Sequence, residues 1–261
     1  MSIHPTAIIA EGAVVPASCT VGPYSTIGPN VVLGEDCTLV SHVVLDGHTT
    51  IGSGNRISPF ACIGVPPQDL KYRGEATQVI IGDNNDIRES VNVSRGTAGG
   101  GGLTRIGSNN LFMCFAHIGH DSHVGDHCIF ANNATLAGHV VVEDFATVGA
   151  FSAVHQFCAV GKYAYIGGGT MATQDVMPYS LTSATRENHA YSINKVGLER
   201  RGFTPEEIKE LRAAYRLIVG SKLNMSDALA SIREKVVTGE FGDKVAYLAE
   251  FIGRSHRGVI R

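Results

Sequence analysis

Ile106-Gly107-Ser108-Asn109-Asn110-Leu111-Phe112-Met113-Cys114-Phe115-Ala116-His117-Ile118-Gly119-His120-Asp121 opens the stretch on which the rest of the chain is organised. Counting from Ile106, an apolar residue returns at every sixth place: Phe112, Ile118, Val124, Phe130, Leu136, Val142, Val148, Val154, Val160, Ile166 and Ala172. That period suits neither a helix nor an ordinary strand. A flat six-residue segment followed by a turn, three times over, closes a triangular coil of eighteen residues with the sixth positions pointing inward.

Working outward, the beat starts at Ile3 and runs through Ile9, Val15, Val21, Ile27, Leu33, Leu39, Leu45, Ile51, Ile57 and Ile63. Glycine often follows the aliphatic residue, as at Gly22, Gly28, Gly34, Gly52 and Gly64, and is expected to supply the corner conformations. Val65 to Glu75 interrupts the pattern, which resumes in phase at Ile81 as though one coil had become a loop. A second break, Arg95 to Gly102, shifts the phase by one residue and carries four consecutive glycines, expected to be mobile or to lie close to another backbone. Projections near residues 65–78 and 95–104 are natural carriers of binding groups.

The hexads fade near Asp175-Val176-Met177-Pro178, giving a repeat domain over 1–178 and a helical domain over 179–261. Asn188 to Arg201 reads as a short helix. Thr204-Pro205 with Glu207 is a capping box for a helix to about Val219, Ser226-Asp227 begins another, and Lys244 to Ile252 a third.

Charged residues make up 17% of the chain and hydrophobic ones 44%, with 31 Gly, no Trp and a net charge of -3, a balance that argues against a nucleic-acid binder. No apolar run approaches the ~20 residues of a membrane span and no signal peptide is evident, so a cytoplasmic protein is expected. Cys19, Cys37, Cys128 and Cys158 occupy the fifth place of their hexads, where small residues fall, and read as reduced core fillers; distance leaves a Cys19–Cys37 disulfide open.

Residues eighteen apart should stack about 5 Å apart. His120, Gly138 and Gln156 then form one column, with Thr135 over His117, His139 over Asp121 and His155 over Ala137. Singly, such histidines read as surface residues. Together with Asp121 and a glycine column, His117 and His120 suggest acyl transfer: imidazole is a natural general base near neutral pH, and a glycine N–H one coil away can face an oxyanion.

The loop Gln68-Asp69-Leu70-Lys71-Tyr72, the run Ala116 to Asp121, Ala131-Asn132-Asn133-Ala134-Thr135-Leu136-Ala137-Gly138-His139, Val154-His155-Gln156-Phe157, Leu198-Glu199-Arg200-Arg201-Gly202-Phe203 and the closing Arg257-Gly258-Val259-Ile260-Arg261 resemble the bacterial acyl-ACP:UDP-N-acetylglucosamine O-acyltransferases over nearly the whole chain. The resemblance implies a left-handed parallel β-helix with a C-terminal α-helical domain. It also implies a homotrimer with sites between subunits, and transfer of a 3-hydroxyacyl chain from acyl carrier protein to the 3-hydroxyl of UDP-N-acetylglucosamine in the first step of lipid A synthesis. On this carry-over His120 is the base, Asp121 its orienting partner and Gly138 the oxyanion donor. Gln68, Asp69, Lys71, His117, His139 and His155 fall to the sugar and phosphopantetheine, Gln156, Asn194, Arg200 and Arg201 to the nucleotide, and Gly168 to acyl length, with room for a hydroxymyristoyl chain. No metal or other cofactor is implied.

Local readings stay beside these. Arg200 and Arg201 also complement a helix C-terminus, Asp69 and Lys71 also read as a solvated loop pair, and nothing marks Cys114 as a nucleophile. Ser94 and Val196 stand where relatives commonly carry histidine and, in some, glutamate. Two other functions remain open: a zinc hydrolyase whose three histidines meet across a subunit interface, for which His117, His120 and His123 offer candidates, and a non-catalytic binding solenoid. Arg212, Arg216 and Lys222 offer either a basic docking surface for the acidic carrier protein or a solvated face.

Overall fold

In the computed structural model, which describes residues 2–184 and 188–260, inward aliphatic side chains stack along the axis of a three-sided coil. Three sheets run its length, with eleven, nine and seven strands among the described residues. Their strands pair in parallel at a spacing of eighteen, as in His117 with Thr135, Val124 with Val142 and Phe130 with Val148. The sixth-place residues form the core: Ile118, Phe130, Leu136 and Ile166 are fully buried. Phe112 and Phe130 stack at 4.9 Å, each burial contributing about 1.5–3 kcal/mol.

The corner conformation is supplied differently from expectation. Residues in the left-handed region are mostly not glycines: Asp36, Phe60, Phe115, Asp121, His139 and Phe157 all have φ between 58° and 66°. Of the five glycines expected there, only Gly64 has positive φ. Gly22, Gly34 and Gly52 are required by close approach. A Cβ on Gly22 would overlap the carbonyl oxygen of Val40, and one on Gly34 would stand 2.6 Å from the carbonyl carbon of Gly52. Coils rising at strand spacing leave no volume for a side chain at those places.

Both interruptions leave from one edge. The chain quits the second sheet after Val65 and re-enters the third at Gln78; it quits again after Ser94 and re-enters at Leu103. Ile51 pairs with Ile81 and Ile81 with Ile106, so no coil is missing. Each loop is an insertion at a corner. On the following coils that same corner is formed by Gly119 to Ser122 and Ala137 to Val140, which places the histidines beside both projections.

Past residue 178 the strands continue. Ser180–Ala184 extends the first sheet beyond Tyr165–Ile166, and Asn188–Ile193 returns antiparallel to it, where a helix from Asn188 was expected. Helices therefore begin at 195, not at 179: α1 Lys195–Arg200, α2 Pro205–Tyr215, α3 Met225–Val237 and α4 Asp243–Arg254. The Thr204–Glu207 capping box is present, and α2 passes into a wider π turn over Arg216–Gly220. The cap of α3 is Asn224, whose side chain accepts from Asp227 N, two residues ahead of the expected start. Glu143 fastens α4 to the coil, accepting from the Tyr247 hydroxyl, Arg254 and Lys162 N. All six cysteines are free, and burial pushes the thiol of Cys128 up to about 12, as fits a core filler.

Candidate active site

His120 and Asp121 share the corner between the second and third sheets, and their side chains meet: Nδ1 lies 2.9 Å from Oδ2. The Asp121 side chain has no exposed surface, while His120 keeps 19%. Burial alone would raise the Asp121 carboxyl, but hydrogen bonds from Thr97 and His120 outweigh it and hold the group below its ordinary value. An ionised Asp121 fixes the proton on His120 Nδ1 and leaves Nε2 as the acceptor. Gly138 stacks against this ring, and a Cβ there would sit 2.6 Å from Cε1 and 2.7 Å from Nε2. Its own N–H has no acceptor among the described residues. His139 meets His120 edge-on at 5.1 Å and stacks on Phe157 at 4.4 Å.

The glycine-rich loop packs onto the cluster. Thr97 N donates to Asp121 Oδ1 at 2.9 Å, the Thr97 hydroxyl donates to Oδ2 at 2.6 Å, and Asp121 N donates to Thr104 Oγ1 at 2.9 Å. A Cβ on Gly100 would overlap the Asp121 carboxylate, so the approach demands glycine. The other loop closes the opposite wall. Arg95 pins it through Nε to the Tyr72 hydroxyl at 2.9 Å and through Nη1 to Gly64 O at 3.1 Å. Together they enclose a cleft of about 550 Å³ lined by Asp69, Lys71, Tyr72, Glu75, Thr97 to Gly100, His139 and Phe157.

Other expected residues are placed less uniformly. Gln68 is exposed, and Asp69 Oδ1 accepts from Lys71 N within their loop. His117 pairs through Nδ1 with Asn92 Oδ1 at 2.9 Å, and burial, then nearby His120, lowers its pKa. His155 and Gln156 are exposed on the next coil. Asn194, Arg200 and Arg201 line a separate cleft of about 650 Å³ that also holds Phe145, Tyr163 and Val196. Asn194 is occupied there: Oδ1 caps α1 at Gly197 N, and Nδ2 donates to Tyr163 O. Arg201 lies over the Phe145 ring at 4.5 Å and donates to His127 O at 3.5 Å. Arg261 falls outside the described residues.

Within the chain, His117 and His123 stand on different sheets, so the zinc set His117, His120 and His123 does not gather. The described grouping with metal-like spacing is His120, Asp121 and His139, donor atoms within 4.8 Å of one another. Both Asp121 oxygens already accept hydrogen bonds, which fits an orienting carboxylate better than a metal ligand.

A family model described as Udp N-acetylglucosamine O-acyltransferase, Domain 2, matches residues 175–260, and one for the bacterial transferase hexapeptide matches 12–47 and 103–138. The acyl-(acyl-carrier-protein) UDP-N-acetylglucosamine O-acyltransferase of Syntrophobacter fumaroxidans is 47% identical over 261 residues, the full length of both chains. The chain belongs to the UDP-N-acetylglucosamine O-acyltransferase family.

Solved members agree. LpxA of Acinetobacter baumannii superposes with a TM-score of 0.95 at 43% identity, covering 99% of each chain. The Arabidopsis UDP-N-acetylglucosamine acyltransferase gives 0.85 at 37% identity, covering 99% of this chain and 100% of that one. The coil is the left-handed parallel β-helix of this acyltransferase family. Reading the sequence missed Thr97 and Thr104 as partners of Asp121 and Asn92 as a partner of His117. Thr97 and Thr104 flank the glycine run at the corner that carries His120, and counting which corner each insertion leaves would have found them.

Proposed function

We propose that this chain transfers a 3-hydroxyacyl group from acyl carrier protein to the 3-hydroxyl of UDP-N-acetylglucosamine, the first step of lipid A synthesis. The observation that carries the proposal is the 47% identity, over the full length of both chains, to a relative named as an acyl-(acyl-carrier-protein) UDP-N-acetylglucosamine O-acyltransferase. The pairing of His120 with Asp121 against Gly138 supplies a chemistry to match.

With Asp121 accepting from Nδ1, His120 Nε2 takes the proton of the sugar 3-hydroxyl as its oxygen attacks the thioester carbonyl carbon. The Gly138 N–H faces the oxyanion that forms. The tetrahedral adduct then collapses, the C–S bond breaks, and the imidazolium returns the proton to the phosphopantetheine thiolate. His120 is the general base, and no metal or other cofactor enters the cycle.

Asp69, Lys71, His117, His139 and His155, with Gln68 at the rim, serve the sugar and the pantetheine arm. Gln156, Asn194, Arg200 and Arg201 serve the nucleotide, where Arg200 supplies paired donors to a diphosphate and Arg201 backs it from the Phe145 ring. The catalytic and nucleotide clefts share no lining residue, which supports a homotrimer whose site is completed by a second copy. Arg212, Arg216 and Lys222 form the docking face for the acidic carrier protein. The reaction is placed in the cytoplasm, and no helix among the described residues is long and apolar enough to cross a membrane.

The test is incubation with UDP-N-acetylglucosamine and a 3-hydroxyacyl carrier protein, followed by mass analysis of the sugar nucleotide. A mass increase equal to one hydroxyacyl group is expected; an unchanged sugar nucleotide overturns the reading.

A further inference from the structure

Asp121 carries a buried negative charge on a corner where, among the described residues, no lysine or arginine forms an ion pair with it. A charge so placed is tolerated only if its oxygens are filled with donors. Besides His120, the donor among the described residues is Thr97: it gives its backbone N–H to Oδ1 at 2.9 Å and Oδ2 at 3.1 Å, and its hydroxyl to Oδ2 at 2.6 Å. The same threonine closes its own loop. Its carbonyl accepts from Gly100 N at 3.0 Å and Gly102 N at 2.8 Å, holding Ala98–Gly100 in a 3-10 turn over the carboxylate. Thr97 itself is buried.

We infer that Thr97 is a positioning residue for the acyl transfer, holding Asp121 as the ionised partner that keeps the proton of His120 on Nδ1. Without the hydroxyl, one lone pair of a buried carboxylate loses its shortest partner. A buried carboxyl stripped of that donor takes up a proton more readily, and a neutral Asp121 donates to Nδ1 and leaves the imidazole proton on Nε2, the atom that must be bare to act as base. The argument rests on the acyltransfer reading, since only a base needs its tautomer fixed.

Thr97→Val keeps the shape and removes the hydroxyl, whereas Thr97→Ser keeps the hydroxyl and removes the methyl. Two readouts separate positioning from folding. In steady-state assays Thr97→Val should lower kcat roughly ten- to a hundredfold while leaving KM for the sugar nucleotide within about twofold, and Thr97→Ser should retain most turnover. In an Asp121→Asn background, Thr97→Val should add no further loss, because its route to His120 is already cut. Independently of any turnover, 15N spectra of histidine-labelled protein should show His120 protonated at Nδ1 in the parent and Thr97→Ser, and a new Nε2–H population in Thr97→Val. Equal kcat in Thr97→Val and parent, equal losses in Thr97→Val and Thr97→Ser, or an unchanged His120 tautomer overturns the inference. A parent that transfers no acyl group defeats the functional reading instead, and the tautomer measurement still decides the role of Thr97.

Discussion

The imidazole of His120 lies against Gly138, eighteen residues further on, so closely that a single added carbon would stand 2.6 Å from its Cε1. The glycine serves the histidine twice, by leaving room for the ring and by presenting a free N–H beside it. Gly138→Ala should therefore push His120 off Asp121 and lower kcat by about a hundredfold or more, with circular dichroism and KM nearly unchanged. Kinetics within twofold of the parent would show that the ring has another resting place.

His120→Ala should remove the base and cost ~10²–10⁴ in turnover while the coil still folds, because His120 contributes nothing to the aliphatic core. Retained activity would restore the reading of a solenoid in which this histidine only solvates the surface. Chelator-treated parent enzyme should keep its rate, and a loss reversed by added zinc would revive a metal at His120, Asp121 and His139.

Acid should weaken the fold through His117. Burial first, and the like charge of His120 second, lower its pKa from 6.5, so the folded state favours neutral imidazole. A group lowered in this way contributes its full stability above pH 6.5 and loses it as pH falls through the folded value. Burial lowers His139 in the same direction, though the charge of Asp121 opposes it. Between pH 7.5 and pH 5 the melting temperature should drop, and in His117→Gln the drop should be smaller by on the order of 2 °C. Identical pH curves for the two proteins would refute this account.

Gly168 sets a length limit in the acyl reading. Gly168 is exposed on the outside of the coil, and a Cβ there would meet the carbonyl oxygen of Ala150 at 3.2 Å, so a larger residue would extend outward from the coil. The parent should prefer hydroxymyristoyl carriers, and Gly168→Val should shift the preference to shorter chains in competition assays. A parent that prefers a ten-carbon chain would remove the glycine from this role.

Much of this architecture was legible because a period of six is a property of one local pattern repeated. Ile118, Leu136 and Val154 announce their stacking without any knowledge of the third dimension, and the column of His120, Gly138 and Gln156 follows by counting. What escaped had a different physical origin. Asn188–Ile193 pairs as a strand because a partner, Ser180–Ala184, is already extended beside it, and pairing outweighs the local reading as a helix. Asn194 reads as a nucleotide ligand, and counting along the chain does not reveal that its side chain also caps α1. Thr97 gave no signal of its own, since its importance lies in where a glycine loop folds back, a tertiary fact.

The two ends of the coil differ in a way that governs how the molecule comes apart. At one end Asp175 bridges to Val259 and accepts from Ile260 N, while Glu143 holds α4. At the other, the inward-facing Ile3 is exposed and Ile9 and Val15 are only half-buried, and among the described residues no rung stacks on the first. In a stack whose layers touch only their neighbours, loosening begins where the last layer has one neighbour and no lid. The chain should unzip from its amino terminus inward, so that the catalytic corner, several turns up the column, is still assembled when the first turns have let go.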